Sequence, residues 1–387
     1  MGNNLENFTM QVLLMTKVTF PHMGTLAIPM KSLLYHLGLE PVVPPPTSQS
    51  TIALGTKLAP EFACLPLKVN LGNYVEAIAL GAEIILMAGG VGPCRFGYYS
   101  QVQGEALLEA GFDVELVTLE APNTYPGQLF HQIKKFIPRH RPSALLTALH
   151  IFWKKARALD IFDRLANHTR AREASTGATT LVQNKFYQAI DHAEGPKEIK
   201  SVLDTSIHEL KSIPHKPDYK PLNIMLLGEI YMVLEPRVNF RLEETLGHMG
   251  VEVKRSIYLS DWIEEHLNIL PTAKNSRSHL LHLAHPYLGS HVGGHGLESV
   301  AYGIEAGVNR MDGIIQLAPF TCMPEIIAMP ILSTISTNFS IPVLHLIIDE
   351  HSGEAGIHTR LEAFIDLLKY RPKTSLKELY VTSPTIN

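Results

Sequence analysis

The sequence is poor in cysteine, in net charge and in unbroken apolar stretches, and each shortage removes a class of protein. Three cysteines among 387 residues are too few for a disulfide framework, and an odd number without a secretory leader fits a reducing compartment. Lysine and arginine number 33 against 37 acidic residues, a formal charge of −4, so no basic field of the kind that holds nucleic acid is expected. The most apolar region, 314–348, is cut by Pro319, Pro324, Pro330 and Pro342 and carries Glu325. It therefore lacks the roughly 18 uninterrupted apolar residues of a membrane helix and reads as buried strands and short helices. The opening Met1-Gly2-Asn3-Asn4-Leu5-Glu6 has no basic stretch followed by an apolar one, and no Ser or Thr where a myristoylation signal needs it. A cytoplasmic protein without membrane or nucleic-acid contacts is the expectation.

Hydrophobic residues make up 45% and charged residues 18%, a balance that builds a packed core and excludes disorder and fibres. At roughly 150 residues per domain the length corresponds to two or three domains. Over 12–142, β-rich runs at 12–18, 41–43, 83–88 and 114–118 alternate with helical spacing at 25–37, 74–80 and 100–110. From 143 to 216 the β-branched runs vanish and a helical segment is predicted, with Arg157, Arg164, Arg170 and Arg172 on its solvated face. Pro214-His215-Lys216-Pro217-Asp218 is a linker. Over 217–372 the alternation resumes, with strands at 223–227, 251–254, 313–317 and 342–348 and helices at 237–249, 297–306 and 357–368. The fold class is α/β: two parallel-sheet domains of Rossmann or flavodoxin-like type with a helical segment between them. The two outer parts look like weak copies of one architecture, without a repeat strong enough to indicate duplication.

The cysteines carry the chemical information. Cys94 follows the strand 83–88 through Gly89-Gly90-Val91-Gly92-Pro93, and Cys322 follows 313–317 through Ala318-Pro319-Phe320-Thr321. Both fall past the carboxyl end of a buried strand, the edge at which open α/β sheets bind ligands. Cys64 lies in Pro60-Glu61-Phe62-Ala63-Cys64-Leu65-Pro66, near Lys68. Each cysteine has a proline within two residues, which stiffens its loop. The spacings match no zinc-ribbon or ferredoxin pattern, so the residues alone leave open inert buried thiols, a three-cysteine zinc site and a shared cluster.

Several strings together resemble a known family. They are Thr19-Phe20-Pro21-His22-Met23-Gly24, Pro60 to Lys68, Gly89-Gly90-Val91-Gly92-Pro93-Cys94-Arg95-Phe96-Gly97-Tyr98-Tyr99, Gly228-Glu229-Ile230-Tyr231, Gly293-Gly294-His295-Gly296, Pro319 to Glu325, and Gly353-Glu354-Ala355-Gly356. The chain resembles, from about residue 12 to 370, the CoA protein activase or activase-related proteins, relatives of the cluster-bearing subunits of 2-hydroxyacyl-CoA dehydratases and benzoyl-CoA reductases. The resemblance implies a [4Fe-4S] cluster held by Cys64, Cys94 and Cys322 between two α/β domains, one iron remaining open. It also implies an electron donor, an ATP-dependent activator of actin-like fold, and a homologous cluster-bearing subunit as a second partner. Gly92-Pro93-Cys94-Arg95-Phe96-Gly97 has a glycine spacing like that of a phosphate loop, but Tyr98-Tyr99 replace the Lys and Ser or Thr that grip phosphate and magnesium, so the chain is not expected to be the ATPase.

On that basis Arg95 offsets the negative charge of a thiolate-bound cluster. The catalytic candidates are Glu229, at the end of a strand, His295, as an outer-shell or fourth-ligand residue, and Glu325, which otherwise simply favours a positive helix start. Gly293-Gly294 argues against His291 and His295 as a helical metal pair. Gly353-Glu354-Ala355-Gly356 reads as an anion-binding nest or a plain turn. The function implied is radical dehydration or reduction of an acyl-CoA-like substrate; the alternatives are a non-catalytic iron–sulfur relay or accessory subunit, and a metal-free binding protein.

Overall fold

The computed structural model describes residues 15–90, 92–120, 132, 134, 136, 143–267 and 271–371. The first sheet contains β1 (Lys17–Thr19), β2 (Glu40–Pro41), β3 (Ile84–Ala88) and β4 (Glu115–Leu119), with helices α1 (Ala27–His36), α2 (Gln49–Leu58), α3 (Leu65–Ala79) and α4 (Tyr99–Glu109) in the connections. Its order is β2-β1-β3-β4, all parallel. Alternation along β3 explains why helices cover both faces: Ile85 and Met87 point into a core with α3 and α4, whereas Leu86 joins the core beneath α1. The predicted strand over 12–18 is found as Lys17–Thr19, with 12–14 outside the described residues.

Three long helices follow: α5 (Ala144–Arg170), α6 (Ala178–His192) and α7 (Pro196–Lys211). Their shared core includes Phe162 and Phe186, stacked with ring centroids 4.1 Å apart. The charged face of this layer is solvated in part: Arg157 and Arg164 are exposed, as expected, whereas Arg170 departs from the expectation. Arg170 is buried, and Arg172 donates to Glu252 at 2.6 Å. Arg164 pairs with Asp261, and Arg157 lies 3.6 Å from Glu264. The rim of this partly wet face thus carries ion pairs to the second sheet domain.

That domain contains β5 (Leu222–Gly228), α8 (Ile230–Leu234), α9 (Leu242–His248), β6 (Val251–Arg255), α10 (Leu259–Leu267), α11 (Pro271–Ala284), α12 (Gly296–Val308), β7 (Gly313–Pro319), α13 (Met323–Phe339), β8 (Val343–Ile348) and α14 (Glu354–Tyr370). Its sheet is again all parallel, in the order β6-β5-β7-β8. Ile224 and Leu226 face one core while Met225 and Leu227 face the other, so β5 is apolar over 224–227. The helix expected over 237–249 begins only at Leu242, because Phe240 and Arg241 take left-handed backbone at φ 58° and 51°. The 314–348 region holds one 17-residue helix rather than short ones; Pro324 sits in its first turn and Pro330 inside it. Among the described residues no helix is long and apolar enough to cross a membrane.

The two sheet domains share a core. Leu65 and Val69 of α3 pack with Ile224, Leu226 and Met232 of the second domain. A polar strap crosses nearby: the buried Glu235 carboxylate accepts from the Gly24 amide at 2.7 Å and pairs with His22 Nδ1 at 2.9 Å. Tyr231 donates its hydroxyl to the His22 carbonyl at 2.7 Å. Gly24 is required here, since its φ is +52° and a Cβ would stand 2.1 Å from the Leu234 carbonyl oxygen. Lys68, itself buried, pairs with Glu350 across the same seam.

Candidate functional site

In each sheet the direction of strand progression reverses between the first strand and its neighbour, β1 and β3 in one, β5 and β7 in the other. The crevice outside the carboxyl ends at such a reversal is the preferred ligand position of open α/β sheets. The segments leaving these strands carry the marked residues: His22 after β1, Cys94 after β3, Glu229 after β5 and Cys322 after β7.

All three cysteines occupy the residue immediately before a helical turn. Cys64 precedes α3, Cys322 precedes α13, and Cys94 precedes the 3₁₀ turn Arg95–Tyr98 that runs into α4. Pro66 and Pro324 lie in the first turns that follow, where a missing N–H costs nothing.

One side chain ties the three loops together. Arg95 donates from Nη1 to the Phe62 carbonyl at 3.1 Å, and from Nη2 to the Thr321 carbonyl at 2.7 Å and Thr321 Oγ1 at 2.9 Å. Thr321 Oγ1 in turn donates to the Phe62 carbonyl at 2.9 Å. Phe62 and Thr321 both adopt left-handed backbone, at φ 59° and 69°. For a β-branched residue this is strained, on the order of 1–3 kcal/mol, and such strain persists where the surroundings over-determine it.

The thiols influence one another electrostatically. Burial pushes the Cys64 thiol up, against the opposing hydrogen bond with Tyr99; the nearby Glu229 and Cys94 add to the rise. Burial likewise raises Cys94, with Glu229 and Glu325 contributing, and it raises Cys322 strongly, with Glu229, Glu325 and Cys64 contributing. Arg95 is the cation that eases ionisation of Cys64 and Cys94. Glu229 thus acts on all three thiols. Its carboxyl is pushed up to about 7 by burial, while the Met232 amide, which it caps at 3.0 Å, pulls the other way.

Glu325 departs from the plain helix-start reading. It is completely buried and accepts from Ser299 Oγ at 3.0 Å and from Gln316 Nε2 at 2.8 Å. Gln316 Oε1 is occupied by His345 Nδ1 at 2.6 Å, which fixes the amide's orientation. Burial pushes the Glu325 carboxyl to about 7 despite these donors. His295 precedes α12, and its Nε2 accepts from Trp262 Nε1 at 3.1 Å, so that nitrogen is committed to the indole. His291 is exposed. The Gly353 string makes no nest: Gly353 is extended at φ −104° and precedes α14.

The Gly293-Gly294 pair closes the site. Both have positive φ, and a Cβ on Gly293 would stand 2.7 Å from the Cys94 amide nitrogen. On Gly294 it would meet Pro324 Cγ at 3.1 Å and Cys94 Sγ at 3.7 Å. These residues bring the turn before α12 against two of the cysteine loops, and only glycine fits.

Among the described residues no group of three or more His, Cys, Asp or Glu side chains is arranged to hold a metal ion. Three free cysteine thiols are nevertheless the donor type that iron–sulfur clusters use. Raised thiols also need a positively charged guest to ionise. Sequence reasoning gave Phe62, Tyr99 and Thr321 no role of their own; the local signal was that each lies in a cysteine-bearing string, Thr321 directly before a cysteine. Neither a scan against protein-family models nor a search of curated proteins finds a match for this chain.

Proposed function

We propose that the protein is an iron–sulfur component similar to those of 2-hydroxyacyl-CoA dehydratases and benzoyl-CoA reductases, with Cys64, Cys94 and Cys322 holding a [4Fe-4S] cluster between its two sheet domains. It would accept a low-potential electron from an ATP-dependent, actin-like activator and use it in radical dehydration or reduction of an acyl-CoA-like substrate. The order two-one-three-four in each sheet supports the flavodoxin-like form of the fold. The observation that carries the functional reading is the Arg95 clamp: a residue beside one cysteine bonds the loops of the other two. Inert core thiols need no such fastening.

A bound cluster supplies one-electron chemistry and a Lewis-acidic iron. The chain's own part is to fasten three loops with Arg95, to keep water from Cys64 and Cys322 by burial, and to hold protons. Glu229 and Glu325, poised near neutrality, are placed to keep or release a proton beside the thiols.

A relay or accessory role is the second reading, and one observation favours it. Phe62, Tyr98, Phe320 and Ile326 are 50–67% exposed, and each lies within four residues of a cysteine. An apolar rim of that kind suits a protein partner docking over the thiols.

Anaerobic purification with iron and acid-labile sulfide assays tests the cluster; about four of each per chain are expected for one cubane. Values near zero after anaerobic reconstitution would remove it. Enzyme and relay then separate by electron paramagnetic resonance of the reduced protein: a 2-hydroxyacyl-CoA perturbs the spectrum if an iron is open to substrate and leaves it unchanged in a relay.

A further inference from the structure

The three cysteine sulfurs differ in what they are bonded to. Cys94 is hydrogen-bonded by the Phe96 amide and Cys322 by the Glu325 amide. Both donors are main-chain groups at the start of a helical turn, present whatever side chains stand there. Cys64 is bonded instead by a side chain, the phenol of Tyr99 at the first position of α4. Once the sulfur is a thiolate it can only accept, so the phenol is then the donor.

The phenol is held from several sides. Tyr99 is 5% exposed and Cys64 9%, so water hardly competes for the bond. The Tyr99 ring packs on Phe96 with centroids 5.2 Å apart, in a core shared with Leu67 and Leu71 of α3 and Met87 of β3. One turn further along α4, the fully buried Gln103 donates to the Leu67 carbonyl at 3.3 Å, which fastens α4 to the first turn of α3 after Cys64. A donor fixed in this way needs no reorientation when charge develops on the sulfur. Arg95, the other group that favours charge on Cys64, is exposed and bonds carbonyls and a hydroxyl rather than sulfur. Solvent weakens its field, whereas the phenol acts inside the core, where a hydrogen bond to an anion is strong.

From this arrangement we infer that Tyr99 is a positioning residue that sets the reduction potential of the cluster through its hydrogen bond to Cys64; the inference rests on the cluster reading. Reduction adds one electron from a low-potential donor to the thiolate-bound core, and no bond of the protein is made or broken. The phenol stabilises the added negative charge, so its presence raises the potential.

Redox titration of the full reconstituted chain, followed by electron paramagnetic resonance, tests it, with iron and sulfide counted in each sample first. At the parent's midpoint, the ratio of reduced to oxidised cluster in Tyr99→Phe should fall about tenfold, which is about 59 mV for one electron. Tyr74→Phe is the control: that phenol lies in the same core but donates to Met87 Sδ at 3.1 Å, and its loss should leave the potential in place. Replacement of Tyr99 by 3-fluorotyrosine keeps the ring and supplies a more acidic donor, so the potential should rise; this variant decides the matter where Tyr99→Phe retains no cluster. An unchanged potential in Tyr99→Phe, an equal fall in Tyr74→Phe, or no rise with fluorotyrosine would each overturn the inference while the cluster reading stands. A parent chain that takes up neither iron nor sulfide would remove the cluster reading, and this inference with it.

Discussion

Arg95 does more for the site than any other single side chain, although it is exposed and lines no core. Its hydrogen bonds reach loops 33 and 226 residues away in sequence. Arg95→Ala should cost little global stability, about 1 kcal/mol, because solvent replaces much of what is lost. Retention of iron and sulfide after reconstitution should nevertheless fall several-fold, and Arg95→Lys should not restore it, since one ammonium cannot reproduce the guanidinium fork. Stoichiometry unchanged in both variants would show that the clamp is incidental. Replacing Cys64, Cys94 or Cys322 singly by Ser should lower iron retention in each case; a variant that keeps its full complement removes that residue from the ligand set. The sequence already marked Arg95 and the cysteines by adjacency and by their glycine- and proline-rich loops. It could not mark Tyr99 or Phe62, whose parts depend on contacts across folded space.

At the scale of elements, α5 is a charged helix with two kinds of polar residue. Arg157 and Arg164 stay exposed, as alternating charge usually implies, whereas Asp160, Asp163 and Arg170 are buried. Asp160, 2% exposed, accepts the Ser260 amide at 2.6 Å and so pins the start of α10. Burial pushes its carboxyl up to about 6 even though that amide and Arg255 pull it down. The folded protein therefore binds more protons than the unfolded chain between about pH 4 and 6, and stability falls as pH rises through that window. Asp160→Asn keeps an oxygen for the amide and should flatten this slope, worth on the order of 1–3 kcal/mol. Urea unfolding at pH 4, 5, 6 and 7 reads it directly; equal slopes in variant and parent would refute the assignment.

Across the whole molecule, the two sheet domains are joined by a common core and a buried carboxylate, so they should not behave as independent modules. Glu235→Ala leaves the Gly24 amide, the Arg237 amide and His22 without their acceptor. A cost of about 2–4 kcal/mol follows, from several donors orphaned together. Thermal unfolding followed by calorimetry should remain a single transition in the parent and move down by several degrees in the variant. Two separated transitions in the parent would show that the seam is weaker than its packing indicates.

Periodicity and glycine punctuation alone determined the alternation of strands and helices, the helical middle and the placing of Cys94 and Cys322 beyond buried strands. These are local quantities, set by side-chain spacing and backbone freedom within a few residues. Tertiary structure decided the rest. It put Cys64 beside loops from the other end of the chain, buried Arg170 at the end of α5, and buried Glu325. Each of those outcomes depends on which surfaces meet, and that is settled by the packing of whole layers rather than by any segment's own preference.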